Sequence, residues 1–382
     1  MVSGNDGGPR FSRSAAAGES LLRLTAIDIR DFRIVPRAAI EPGAVNWLFG
    51  ANGAGKTSIL EAIHLLGTGR SFVPGRGSRL IRTGAGPLRV VARLEEDGGH
   101  RHRMGLERNA GGRLLMRLDG SWVERIADLA ERLPVVAIHP GSHEILAGGP
   151  EQRRRLLDWG LFHVEHGYLA VWQRYRRVLA QRNALLRSRA GARSLEPWDG
   201  EFAASGELVD QARRDYVAAL EPHVRSASGE LLRAGGEVRV RYRSGWTAGT
   251  PLRTALEERR ARDVDQLTTT VGPHRGELLV TLDGNEARHR VSRGQQKLLV
   301  YVLRLAQARL HRERKGGGPV MLLDDLGAEL DTDHRERVLA TALETGSQLF
   351  VTAVSPDTPD VPASTAINWF HVEQGTVSEV LQ

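Results

Sequence analysis

A strand pattern runs from Leu22 to Ile29, and the apolar run Val45 to Phe49, closed by glycine, reads as a second strand. Past that glycine the period changes. Ile59, Ile63 and Leu66 fall on one face, which predicts a helix from Gly55 to about Leu66. Three strand-like runs between residues 87 and 119 (Leu88 to Leu94, His102 to Leu106, Leu114 to Leu118), separated by Gly-rich turns, predict an antiparallel meander. From Pro150 to about Ala234 the pattern turns helical. Val171, Tyr175, Val178 and Leu185 mark one helix, and Val209, Tyr216 and Leu220 a second, together an antiparallel helical arm. A hairpin follows (Leu278 to Leu282, turning at Asp283-Gly284), then a helix from Gly294, a strand Val320 to Leu323 and a strand Leu349 to Thr352. Residues 1–20 are small and polar and read as a flexible tail. There is no internal repeat.

Composition narrows the class without naming a function. The 382 residues allow two or three domains, and 41% hydrophobic with 26% charged residues is ordinary globular usage. No apolar run approaches the roughly 18 residues of a membrane helix, and the first 20 residues lack the apolar core of a signal peptide. Cysteine is absent, which removes disulfides, thiolate metal sites and Cys nucleophiles together. A cytoplasmic protein without a membrane partner is expected.

Charge changes the picture more. Of the 53 basic residues only Lys56, Lys297 and Lys315 are lysines, so the places where lysine survives are informative. Between Pro150 and Ala190, nine arginines face three acids, close to the whole net charge of +7. A polyanionic partner is expected there. By helical spacing Arg174, Arg177, Arg182 and Arg189 point outward as candidate DNA contacts, whereas Trp159, Phe162, Trp172 and Tyr175 read as core.

Gly50-Ala51-Asn52-Gly53-Ala54-Gly55-Lys56-Thr57 fits the Gly-x4-Gly-Lys-Ser/Thr phosphate loop, with Ser58 next, after a strand and opening a helix. Glycines let successive N–H groups turn inward around phosphate oxygens, and the helix N-terminus adds its dipole. Lys56 then reaches the β- and γ-phosphates, and the Thr57 hydroxyl ligates Mg²⁺. Val320-Met321-Leu322-Leu323-Asp324-Asp325 supplies the matching Walker B strand. Asp324 would hold Mg²⁺, and Asp325 would act on the attacking water. Arg70, just past the first helix, is a further phosphate candidate.

Ser292-Arg293-Gly294-Gln295-Gln296-Lys297 precedes a long helix that Ser292 can cap. The run resembles the ABC signature, which contacts the γ-phosphate of ATP held by another subunit, and Glu329-Leu330-Asp331 resembles the D-loop. Further runs are Gly69-Arg70-Ser71-Phe72, Pro150 to His163, Gln181 to Leu186 and Gly272-Pro273-His274-Arg275. In order, from about Leu22 to Val354, they resemble the RecF family of ABC-type ATPases, related to the SMC heads. Two positions depart from the family pattern: Ala328 opens the D-loop where Ser is usual, and Val354 follows Thr352-Ala353 where Thr is usual.

The resemblance implies an α/β fold: an ABC-ATPase head, built as a P-loop mixed sheet with an antiparallel β subdomain, plus a helical arm subdomain. The expected domains are the tail 1–20, an ATPase lobe of 21–149 with 268–382, and an Arg-rich arm of 150–267. It implies ATP and Mg²⁺ as cofactors and slow hydrolysis. It also implies an ATP-driven homodimer on single-stranded, duplex or gapped DNA, acting in DNA replication, recombinational repair and the SOS response. Recombinase loading at gaps with RecO and RecR partners would follow. From the residues alone, a scaffold that dimerises on ATP and turns its basic arm to an acidic protein partner is the alternative. A transport ATPase fits less well, because the Lys56 to Asp324 interval is wide and no His follows the last strand.

Overall fold

The computed structural model describes residues 22–73, 77–189, 192–232, 236–356, 361 and 365–380; the proposed tail, 1–20, lies outside them. The chain forms two compact units. One holds the described residues within 149–221 and 240–280, and the other those within 22–148, 222–239 and 281–380.

The larger unit begins with β1 (Leu22–Phe32), β2 (Val35–Ile40) and β3 (Val45–Phe49), followed by α1 (Lys56–Thr68). Next come β4 (Leu88–Glu96), β5 (Arg101–Arg108), β6 (Leu114–Leu118) and β7 (Ser121–Val123). These give a six-stranded antiparallel sheet in the order β2-β1-β4-β5-β6-β7, so the expected meander is its latter part. Its strands alternate: Leu88, Val90, Ala92 and Leu94 of β4 are buried while Arg89 and Arg93 are exposed. The apolar face packs with Ile59, Leu60, Ile63 and Leu66 of α1 in one core cluster, each side chain contributing about 1.5–3 kcal/mol of burial.

The second sheet of this unit behaves differently. β8 (Val135–Ile138) joins β12 (Val320–Leu323), β13 (Leu349–Ala353), β14 (Ile367–Glu373) and β15 (Thr376–Val380) in the order β15-β14-β3-β13-β12-β8. All neighbours except β14/β15 run parallel. β8 and β12 are buried at every position, as continuous apolar runs in a covered parallel sheet should be. Because β3, β13 and β12 are adjacent and parallel, their carboxyl ends lie together. That is where an open parallel sheet holds its ligand.

The smaller unit is helical: α2 (Pro150–Val164), α3 (Tyr168–Arg187), the first part of α4 (Glu196–Leu231) and α5 (Leu252–Gln266). Pro150 begins α2, where a missing N–H costs nothing. Gly160 lets α2 and α4 meet closely, since a Cβ there would stand 1.9 Å from the Tyr216 hydroxyl. Tyr175, Phe202 and Val209 are buried, and buried ion pairs join distant segments, such as Arg153 to Glu277 at 2.8 Å. The remaining strands are β9 (Val238–Arg243), β10 (Glu277–Leu282) and β11 (Asn285–Glu286). The last long helices are α6 (Arg293–Lys315) and α7 (Thr332–Glu344).

Candidate nucleotide site

The loop 50–55 leaves β3 and enters α1 through Gly50, Gly53 and Gly55, with φ of 149°, 80° and 116°. Side chains rarely adopt this region, and at Gly50 a Cβ would stand 2.1 Å from the Val372 carbonyl oxygen. Gly55 caps α1 without a side chain, so the first N–H groups of the helix are free to point at an anion. The Lys56 ammonium is buried and donates to the carbonyls of Gly50 (2.6 Å) and Ala51 (2.9 Å). Burial lowers its pKa, opposed by the charges of Asp325 and Asp324. Ser58 is buried behind the loop, while Ala51, Asn52 and Gly53 are exposed at its tip.

Asp324 directly follows β12 and is buried. The Thr57 hydroxyl donates to it at 2.9 and 3.0 Å, and the Thr352 hydroxyl at 2.9 Å. Burial raises its pKa, the two hydroxyls and Lys56 lower it, and the Asp325 charge raises it. Burial and the Asp325 charge leave the Asp324 carboxylate room for more positive charge than Lys56 supplies, and the oxygen donors Thr57 and Asp324 suit a hard divalent cation such as Mg²⁺. Asp325 follows in the left-handed region, φ 57°, a strained setting for a residue with a side chain. Its N–H donates to the Thr352 hydroxyl at 2.8 Å, which fixes that turn.

At the start of α6, Ser292 and Gln295 form a reciprocal capping box, with each side chain accepting the other's backbone N–H. Gln296 turns inward and donates to the Ala287 carbonyl at 3.1 Å, and Lys297 is half-buried. Ser292, Arg293, Gly294 and Gln295 remain exposed. Beyond its chain neighbours and its own helix backbone, no described atom lies within 4 Å of where a Gly294 Cβ would be, and its φ is not positive, so nothing among the described residues requires glycine there. Of the residues expected to form a D-loop, Leu330 is half-buried and Asp331 caps α7 by accepting the His334 N–H at 2.9 Å; the Glu329 side chain lies outside what is described.

One DNA candidate is corrected. Arg182 is fully buried: it donates to Asp199 (2.9 Å), Asp263 (2.7 Å) and Thr269 (2.9 Å), knitting α3, α4 and α5 together. Its guanidinium answers two buried carboxylates that helical spacing could not reveal. Arg174, Arg177 and Arg189 are exposed, with Arg174 ion-paired to Glu201. Trp159, Phe162 and Trp172 are half-buried and Tyr175 fully so. Arg70 is exposed.

Two residues of the site carried little sequence signal. Thr352 bridges Asp324 and the Asp325 turn. Glu61, wholly buried on α1, pairs with Arg33 and accepts from Ser71, tying the phosphate-loop helix to the β1–β2 turn. The motif Gly69-Arg70-Ser71-Phe72 holds that second contact, so a buried acid on the helix beside it was the available clue.

A family model described as the RecF/RecN/SMC N-terminal domain matches residues 23–378. A protein of Thioalkalivibrio sulfidiphilus named DNA replication and repair protein RecF is 42% identical over 357 residues, 93% of this chain and 98% of its own length. A protein of Shewanella pealeana with the same name is 38% identical over 364 residues, 94% of this chain and all of its own. Among solved structures, the chain is similar to the recombination mediator protein RecF with ATP (TM-score 0.84, 24% identity, covering 96% of this chain and 100% of that one). It is also similar to an Smc head domain of Pyrococcus furiosus (TM-score 0.58, 17% identity, 94% and 96% covered), a likeness of fold.

Proposed function

The chain belongs to the RecF/RecN/SMC N-terminal domain family, among its RecF members, and from that premise we propose an ATP-gated DNA clamp of replication and recombinational repair. As a member of an SMC-like ABC ATPase family it holds ATP at the loop 50–58. The N–H groups of that loop take the phosphates, and Lys56 exchanges its carbonyl partners for the β- and γ-oxygens. Magnesium, when bound by Thr57 and Asp324, supplies neutralisation of phosphate charge. Asp325, set by its strained turn, orients the attacking water, and hydrolysis is slow.

Two chains pair head to tail, each ATP lying between one phosphate loop and the Ser292 to Lys297 element of the other chain, with Glu329, Leu330 and Asp331 alongside. The observation that carries this reading is Gly294, exposed at a helix start where no described part of its own fold makes a demand for glycine. Charge-assisted hydrogen bonds of roughly 1.5–3 kcal/mol each exist only while the γ-phosphate does. A few at each of two sites reach the roughly 5.5 kcal/mol that turns an open equilibrium into a closed one.

Closure brings two arms (150–267) together as well as two lobes (21–149 with 268–382), and Arg174, Arg177 and Arg189 remain candidate DNA contacts. RecR- and RecO-type proteins are the proposed partners, in the cytoplasm. No described helix is long and apolar enough to cross a membrane. Sedimentation velocity tests the pairing: a dimer with ATP and a monomer with ADP are expected, and a monomer in both would refute it.

A further inference from the structure

The water-facing side of the antiparallel sheet carries a second feature, away from the phosphate loop in sequence. Strand registers set its outward residues in rows. Arg89, Val91 and Arg93 of β4 stand opposite Glu107, Gly105 and Arg103 of β5. Gly105 in turn faces Arg117 of β6, and Arg117 faces Trp122 of β7. Val91, Gly105 and Leu115 floor a trough of about 380 Å³, walled by Arg103, Arg117 and Trp122. Trp122 is 59% exposed, the most exposed large apolar side chain among the described residues, and the Arg117 guanidinium lies 4.0 Å from its ring centroid. A water-facing sheet side is normally polar, so an indole over an aliphatic floor asks for an occupant.

Charge selects the class of occupant. Most arginines of this face are engaged: Arg89 with Glu107 at 2.7 Å, Arg30 with Asp28 at 2.8 Å, and Arg93 with Glu41 at 3.9 Å. Among the described residues, Arg103 and Arg117 have no carboxylate at ion-pair distance. A nucleic-acid strand needs a continuous run of free cations and successive stacking faces. This trough offers two guanidiniums without a described carboxylate partner, one of them already over one face of the indole, and Glu107 in its lining. That is the complement of a short peptide: one large apolar side chain with carboxylates beside it. β7 is also the edge strand of its sheet, leaving backbone groups to pair with an extended segment.

We propose that this trough docks an acidic segment of a partner protein, its apolar anchor on Val91 and Gly105 against Trp122 and its carboxylates on Arg103 and Arg117. Exposed Trp and Arg are the residue types that most often dominate binding energy. The site is independent of the DNA-clamp reading.

Fluorescence anisotropy of the full-length protein tests it. The probe is a short fluorescein-labelled peptide with several aspartates flanking a phenylalanine, compared with a counterpart whose aspartates are lysines. Saturable binding of the acidic probe alone is expected, weakened about tenfold or more by Trp122→Ala and by Arg117→Ala. The paired, more distant Arg30→Ala should change it less than about twofold. Thermal melting should be unaltered in all three variants, since these side chains are on the surface. Equal binding of both peptides, or acidic-peptide binding indifferent to Trp122→Ala, overturns the proposal. So does a labelled single-stranded oligonucleotide that loses more affinity than the peptide in the same variants, which would make the trough a nucleic-acid site.

Discussion

The Thr57 hydroxyl lies 2.9 Å from an Asp324 carboxylate oxygen, joining the first turn of α1 to the end of β12 across 267 positions of sequence. The two residues proposed to share a magnesium ion are thus already in contact, and the cation has only to replace a hydrogen bond. Asp324→Asn keeps the shape and removes the charge. The free protein is expected to melt at the same temperature or higher, because a buried, under-compensated carboxylate is gone. The further rise that wild type shows with magnesium and ATP should vanish, since ligand stabilisation scales with binding. A variant that still gains the wild-type increment would place the cation elsewhere.

The raised pKa of Asp324 has a pH consequence. Burial lifts it above the ordinary 3.8, so across that window the folded protein keeps a proton that the unfolded chain has released. The stability due to that proton is complete below the ordinary value and is lost as pH rises through the folded one. Cation binding needs the carboxylate ionised and should release a proton in the same window. Calorimetric titration of magnesium with ATP, in buffers of different ionisation enthalpy, measures that release; it should be absent in Asp324→Asn.

Arg182 and Arg177 should part company. Arg182→Met leaves Asp263 buried without its cation, while Asp199 keeps Arg260 at 2.8 Å, and should cost about 3–5 kcal/mol in a chemical-denaturation experiment. Arg177→Ala removes an exposed charge and should change stability by no more than about 0.5 kcal/mol. If Arg177 meets a phosphate, its loss weakens DNA binding evenly across sequences and lowers the salt slope by about one unit. An unchanged slope would remove it from the interface.

Gly294→Glu isolates the trans contact. An acid in the first turn suits the helix dipole, and the space there is open, so the fold should hold. The same carboxylate would oppose an incoming γ-phosphate. ATP binding by the monomer is expected to persist while ATP-dependent dimerisation fails by sedimentation. Dimerisation at wild-type strength would mean that the signature element does not face the nucleotide.

What was legible in the sequence follows from which interactions are local. The phosphate loop, the β12 strand and the Ser292 cap each depend on neighbours a few positions away, and their spacing gave them directly. Thr352 did not show its role, because its hydroxyl reaches Asp324 only once β13 lies between β3 and β12, a matter of strand order. Arg182 misled for the same reason: on α3 alone it is one arginine among several, and its two carboxylate partners come from α4 and α5. The meander was visible, but β14, parallel to β3 and followed by the edge strand β15, was not read from its mixed sequence.

The most direct test of the nucleotide switch is anisotropy of labelled single-stranded, duplex and gapped DNA with ATP and then ADP, at two salt concentrations. Expected is binding that requires ATP, weakens steeply with salt as counterions are released, and disappears in Lys56→Ala. Equal binding with ATP and ADP would leave a basic surface and contradict the switch.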